Sequence, residues 1–156
     1  MRSSWQKWAY WGTMLIIVAT ILSIYFVATA PRRNAENQAR AVAERVAGVT
    51  EPQVFYLFNR NETDYTIGGK QKSGRRVFVI INAKSGKTRT LAASGGLSAS
   101  AATAQARAAN NQAPATKVAL GLYKGTPAWE VTLRQRNGSY RYVLLNFKTG
   151  ETVKAS

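Results

Sequence analysis

Two stretches of this chain, 64 positions apart, share one pattern of turns and apolar residues, and that repeat constrains the fold more than any other feature. Residues 76–88 lie over residues 140–152 without a gap: Asn82 falls on Asn146, Lys84 on Lys148, Gly86 on Gly150 and Thr88 on Thr152. Further back, Lys72-Ser73-Gly74 falls on Arg136-Asn137-Gly138, Tyr65 on Trp129, Ile67 on Val131 and Val54 on Val118. In the downstream copy Trp129, Val131 and Leu133 alternate with polar residues, which in a strand puts them on one face. Asn137-Gly138 is a strong hairpin signal because such turns need positive φ. The run Tyr140–Phe147 ends at a second turn, Lys148-Thr149-Gly150-Glu151, before a short strand at Thr152–Ala155. The pattern is a duplicated antiparallel meander. Two copies do not make a solenoid, so each unit has its own core to bury.

Each meander follows a helical stretch. Asn34 is a good N-cap for a helix to Ala47, with Ala39, Val42 and Val46 as its apolar stripe and Gly48 as its stop. Strands are expected near 52–58, 64–67, 76–82 and 87–91. Ala92–Gly96 reads as a short linker. Leu97 then opens an Ala-rich helix reaching about Asn110, with Leu97, Ala101, Ala104 and Ala108 facing the sheet, before a strand at Thr116–Tyr123. Such composition also suits a disordered segment, but the flanking repeat favours helix. Several strands are apolar on both faces: Val54–Phe58, Val77–Ile81 and Val143–Leu145. Either the two units pack their sheets together or one face is left for a protein partner.

Gly12–Ala30 is uncharged and mostly apolar. As a helix it reaches about 28 Å, close to the ~30 Å hydrocarbon core of a bilayer. Trp5, Trp8, Tyr10 and Trp11 form an aromatic belt before it. Arg2 and Lys7 precede the span and Arg32 and Arg33 follow it, so charge gives almost no vote on orientation. The short amino-terminal tail and the folded units behind the span place the amino end inside. Ala28-Thr29-Ala30 also reads as a cleavage site for a secretory signal, the competing assignment. The length of the apolar run and Pro31 just after the cut favour an uncleaved anchor. The expected organisation is residues 1–33 as tail and anchor, 34–93 as a first α+β unit and 94–156 as a second. Each is a cystatin-like helix plus meander.

The chain has 22 Lys and Arg against 7 Asp and Glu, no Cys and no His. Thiolate metal sites, disulfides and His-dependent triads are excluded. The excess of basic residues favours anionic surfaces such as wall polymers, lipid headgroups or nucleic acid without choosing among them. Tyr140 and Tyr142 flank Arg141 in a mix that can stack nucleotides, but a chain placed outside the membrane has little use for that, and no nucleic-acid partner is expected. Trp129 reads as core and Glu130 as an outward residue paired with a neighbouring cation. No catalytic, cofactor or metal constellation stands out. Candidate partner-binding residues are Glu130, Tyr140, Tyr142 and Leu144, while Trp129, Gly138, Phe147 and Gly150 are structural.

An amino-terminal anchor and two helix-plus-meander units carry Leu97-Ser98, Pro127-Ala128-Trp129-Glu130-Val131, Tyr140-x-Tyr142 and Asn146-Phe147-Lys148-Thr149-Gly150-Glu151. This combination resembles the TseB-like (YpmB) family, a PepSY-like, cystatin-related group of Gram-positive bacteria. The resemblance implies a non-enzymatic membrane protein, its domains facing the wall, that regulates cell-wall elongation through a class B penicillin-binding transpeptidase. The PepSY relationship also implies a role in inhibiting an extracellular peptidase or in assembly. A cationic module for anionic wall polymers or lipid headgroups is the alternative from charge. PepSY units usually carry acidic residues after Leu-Ser where this chain has Ala and Ser, so contacts of that helix do not transfer.

The anchor assignment predicts that the membrane-extracted chain retains Gly12–Ala30. Intact-mass spectrometry should find no mature form beginning at Pro31; such a form as the main species would replace the anchor with a cleaved signal.

Overall fold

The computed structural model describes residues 4–156, and within them the side chains of residues 4–10, 12, 22 and 24–30 fall outside the described set. Arg2 and the expected belt residues Trp5, Trp8 and Tyr10 therefore lie outside it, as does much of the expected span. Among the described residues no helix is long and apolar enough to cross a membrane. The chain divides into two compact units, Met1–Asn37 and Gln38–Ser156.

Helix α1 covers Ser4–Ala47 and contains Pro31. The apolar side chains of Trp11, Met14, Leu15, Ile16, Ile17, Val18 and Ile21 are all exposed. A helix start at Asn34 is not what is found. Asn34 lies inside α1: Pro31 costs the helix one hydrogen bond, but it continues through the good helix formers Ala30, Arg32, Arg33 and Ala35. The helix closes where Gly48 donates its N–H to the Glu44 carbonyl at 2.8 Å.

The unit Gln38–Ser156 holds two four-stranded antiparallel meanders. The first is β1 (Val49–Asn59), β2 (Thr63–Gln71), β3 (Arg76–Asn82) and β4 (Thr88–Ala92). A 3-10 turn at Ala93–Gly95 leads to α2 (Ala99–Ala108). The second meander is β5 (Ala115–Tyr123), β6 (Thr126–Arg134), β7 (Tyr140–Asn146) and β8 (Thr152–Ala155). This is an α+β architecture with two antiparallel sheets and few helices.

The repeat is written in the pairing register. Tyr65 faces Ile81 across β2 and β3, and Trp129 faces Leu145 across β6 and β7. The side chain of Asn82 accepts from the amides of Lys84 and Ser85, and that of Asn146 from those of Lys148 and Thr149. Both asparagines fold the turn that follows them. The copies differ at their first hairpin. Three residues, Arg60-Asn61-Glu62, join β1 to β2, whereas only Lys124-Gly125 joins β5 to β6. Both loop residues of the shorter turn have positive φ, 50° and 79°, as a two-residue hairpin requires. The extra residue shifts β1 by one place. Phe55, which pairs with Ile67, is thus the counterpart of Val118, which pairs with Val131. Val54, expected there, is on the opposite face. At the hairpin between β6 and β7 Gly138 has φ 83° and Asn137 keeps negative φ, so only the glycine is left-handed.

One face of the first sheet carries α1. Ala39 and Ala43 are buried against Val49, Ile67, Val77, Val79 and Ile81. Of the expected stripe, Ala39 is buried and Val42 packs partly buried against this cluster, but Val46 is 51% exposed and Ala43 takes its place. In the second half Ser98 caps α2 by accepting from the Ala101 amide at 3.1 Å, and Ala102 and Ala106 face the sheet instead of Ala101 and Ala104. In a helix whose apolar residues are all alanine, a stripe at 97, 101, 104 and 108 and one at 102 and 106 look alike in sequence, so the buried face is hard to read. Trp129 donates its indole N–H to the Leu97 carbonyl at 2.9 Å, which fixes where the helix begins over β6.

The edge strand β5 covers part of the other face of the first sheet, while Val54 on that face stays 37% exposed. Thr66 donates its hydroxyl to the Leu120 carbonyl at 2.7 Å, and the Leu122 amide donates to Asp64 Oδ2 at 2.7 Å. Burial pushes the Asp64 carboxyl above the usual range, and the bonds from Leu122 and Asn82 partly offset this. Tyr56 and Phe78 meet the Trp129 ring edge-on at 5.4 and 5.7 Å between centroids. Phe58 is buried with Ala119 and Leu144, directly over Gly121. Of the two readings of the doubly apolar strands, mutual packing holds, and the apolar faces of β3 and β7 are buried.

Trp129→Ala should destabilise by about 3–5 kcal/mol. Gly121→Ala, whose new Cβ would overlap the Phe58 ring, should cost roughly 1–3 kcal/mol by overpacking. Thermal and urea melts check both, and a parent-like Gly121→Ala would place the halves further apart than described.

Candidate functional site

With the apolar faces consumed, the surface that combines charge with aromatic area is the helix-free face of β5–β8. The register builds it in rows. Ala119, Glu130, Leu144 and Lys154 stand side by side, then Lys117, Thr132 and Tyr142, then Arg134 and Tyr140. Partners across antiparallel strands point the same way, so these side chains share the face.

Glu130 is at its centre and is 4% exposed. Its carboxylate is hydrogen-bonded and ion-paired to Arg60 Nε, and Lys117 Nζ is 4.0 Å away. Arg60 comes from the longer hairpin of the first meander and lies over the Tyr142 ring, with its guanidinium carbon 4.5 Å from the centroid. A buried carboxylate without such a partner would be costly; here it serves to hold a guanidinium in place. Around this pair the surface is basic and aromatic. Lys117, Arg134 and Lys154 are exposed, Tyr140 is 54% exposed and Tyr142 is 36% exposed.

Tyr140 and Tyr142 therefore stand where a partner could reach them. Leu144 and Glu130 do not. Leu144 is fully buried under Phe58, and Glu130 is turned inward to Arg60 instead of outward, because the first half covers this end of the sheet. Trp129 and Phe147 are core. Gly138 and Gly150 sit at turns with φ 83° and 74°. Arg60, Lys117, Arg134 and Lys154 were missed by sequence reasoning. The alternation of β5 places Lys117 opposite Val118, but nothing local connects Arg60 with a strand 70 residues away. Among the described residues no group of three or more acidic residues is placed to hold a metal ion.

Residues 38–82 match the family model described as the cell wall elongation regulator TseB-like domain. Residues 96–155 match that of the peptidase propeptide and YPEB domain, PepSY. Among solved structures, the fold is similar to the YpmB protein from Bacillus subtilis, with TM-score 0.66 and 23% identity, covering 76% of this chain and 94% of that one. A lipoprotein from Clostridium difficile 630 aligns at TM-score 0.41 and 13% identity over 78% of this chain and 91% of that one. No curated protein matches.

Breaking the central ion pair from one side should cost more than removing both partners. Glu130→Gln is expected to lower stability by about 1–3 kcal/mol. Glu130→Gln combined with Arg60→Met should recover much of that loss, giving a coupling of at least ~1 kcal/mol in a double-mutant cycle. Additive effects in urea melts would mean that the pair does not join the halves.

Proposed function

We propose that this chain, which carries a TseB-like domain followed by a PepSY domain, is a non-enzymatic, membrane-anchored regulator of cell-wall elongation that binds a class B penicillin-binding transpeptidase. The observation that carries the reading is the match of residues 38–82 to a family described as a cell wall elongation regulator. The exposed apolar run of α1 supports an anchor, since side chains such as Leu15, Ile16 and Ile21 have no protein to cover them. In this reading the amino end is cytoplasmic and the two meanders face the wall of a Gram-positive cell.

Such a protein works by occupancy. An anchor confines it to the same membrane as its partner and raises the effective concentration, so a weak contact in solution suffices. The meanders present a packed, polar-bonded body whose surface groups bind instead of reacting.

A second reading draws on charge. From residue 34 on there are 18 basic and 7 acidic residues, which favours anionic wall polymers or lipid headgroups. Contacts of that kind are screened by salt, whereas a protein interface with aromatic contacts keeps part of its affinity.

Membrane cross-linking of the full chain in cells should capture a class B penicillin-binding protein, and the capture should persist when the wash is raised from about 0.1 to 1 M salt. Recovery of wall polymer alone, lost at high salt, would favour the second reading; recovery of neither would remove both.

A further inference from the structure

We infer that the helix-free face of β5–β8 is a docking site for an acidic segment of a partner protein, with Lys117, Arg134 and Lys154 receiving its carboxylates and Tyr140 and Tyr142 its apolar side chains. The inference rests on the protein-partner reading above and assigns it a surface and a chemistry.

Charge complementarity gives the sign of the partner. Arg60 and the three exposed cations surround a single acidic side chain on this face, and its carboxylate is buried and already paired. The tyrosines give the class. Their rings are exposed beside the cations, and tyrosine supplies rigid contact area with a polar tip at low entropic cost. A chain of phosphates needs only cations and gains nothing from aromatic area. Its evenly spaced charge would also cross the row that contains Glu130. A peptide can instead set an apolar residue at that row and carboxylates on either side.

Preorganisation adds to the case. The Arg60 guanidinium is held from one side by Glu130 and lies over Tyr142. That ring is thus fixed before any partner arrives, which lowers the ordering cost of binding. No other described strand face in this unit combines exposed aromatic rings with cations, because Tyr140 and Tyr142 are its exposed aromatic side chains and the rings on the first sheet are at least partly buried.

The test uses the full chain in nanodiscs of zwitterionic lipid, with a fluorescein-labelled octapeptide of alternating Glu and Tyr as probe and glycerol-phosphate polymer as competitor. Fluorescence polarisation should show saturable binding of the peptide that is not displaced by an equal charge concentration of the polymer. Arg134→Glu combined with Lys154→Glu should weaken binding at least ~10-fold, as loss of attraction at several sites predicts, and Tyr140→Ala should weaken it several-fold. All three positions are exposed, so the melting temperature should stay at the parent value. Absence of peptide binding, full displacement by the polymer, or binding unaltered in the variants would overturn the inference. Cross-linking to the transpeptidase, measured separately on the same variants, distinguishes the two failures. Capture that persists in variants unable to bind peptide leaves the partner and removes this surface. Peptide binding without capture leaves the surface and removes that partner.

Discussion

The fold depends on what is packed around one indole. Trp129 sits on the middle strand pair of the second sheet, fully buried, with its N–H committed to the carbonyl just before α2. Tyr56 and Phe78 from the first sheet reach its ring edge-on. Three pieces of structure therefore share a single contact: α2, the second sheet and the outer face of the first. Because alanines line α2, the helix lies close to the sheet and the bulk of that core has to come from Trp129 and the neighbouring aromatic rings. Each meander is near the lower size for a self-sufficient core. Sharing Trp129 lets both draw on the same buried area.

The apolar contact is reinforced on its other side by polar groups that could not be buried singly. Thr66, Asp64 and Arg60 from the first half find Leu120, Leu122 and Glu130 in the second. Apolar packing alone would tolerate sliding of one sheet over another. Directional bonds to backbone groups of β5 do not, and they fix the register of the halves. The same bonds decide what remains outside. Once Phe58 and Arg60 cover Leu144 and Glu130, the surviving open surface of the second sheet is the part that bears tyrosines and cations.

Much of this architecture was legible in the residues. The strand ends at 76, 82, 152 and 155 follow directly from turn glycines and apolar runs, and the duplication is visible in Asn82 and Asn146 because a turn that needs an asparagine keeps it. Features set by tertiary contact were not legible. The buried face of α2 could not be read from a helix of alanines, and the slip of β1 is hidden because an ungapped comparison of Val54 with Val118 matches two valines. The candidate surface was half visible. Tyr140 and Tyr142 announce themselves by alternation, but the burial of Leu144 and Glu130 depends on a hairpin far away in sequence, and no local pattern carries that information.

The hairpin that is one residue longer in the first copy also bears on self-assembly. A joint in which one repeat inserts into the next is heterologous, and such joints, when every unit carries both halves, can add units without end. Here each half occurs once. Arg60 projects from a three-residue loop, while the equivalent loop of the second copy is the tight Lys124-Gly125 turn. The receiving Glu130 has Thr66 as its counterpart in the first sheet, and Thr66 is already bonded to Leu120. Among the described residues the plug of the first repeat fills the socket of the second, so the joint between the repeats is completed within one chain.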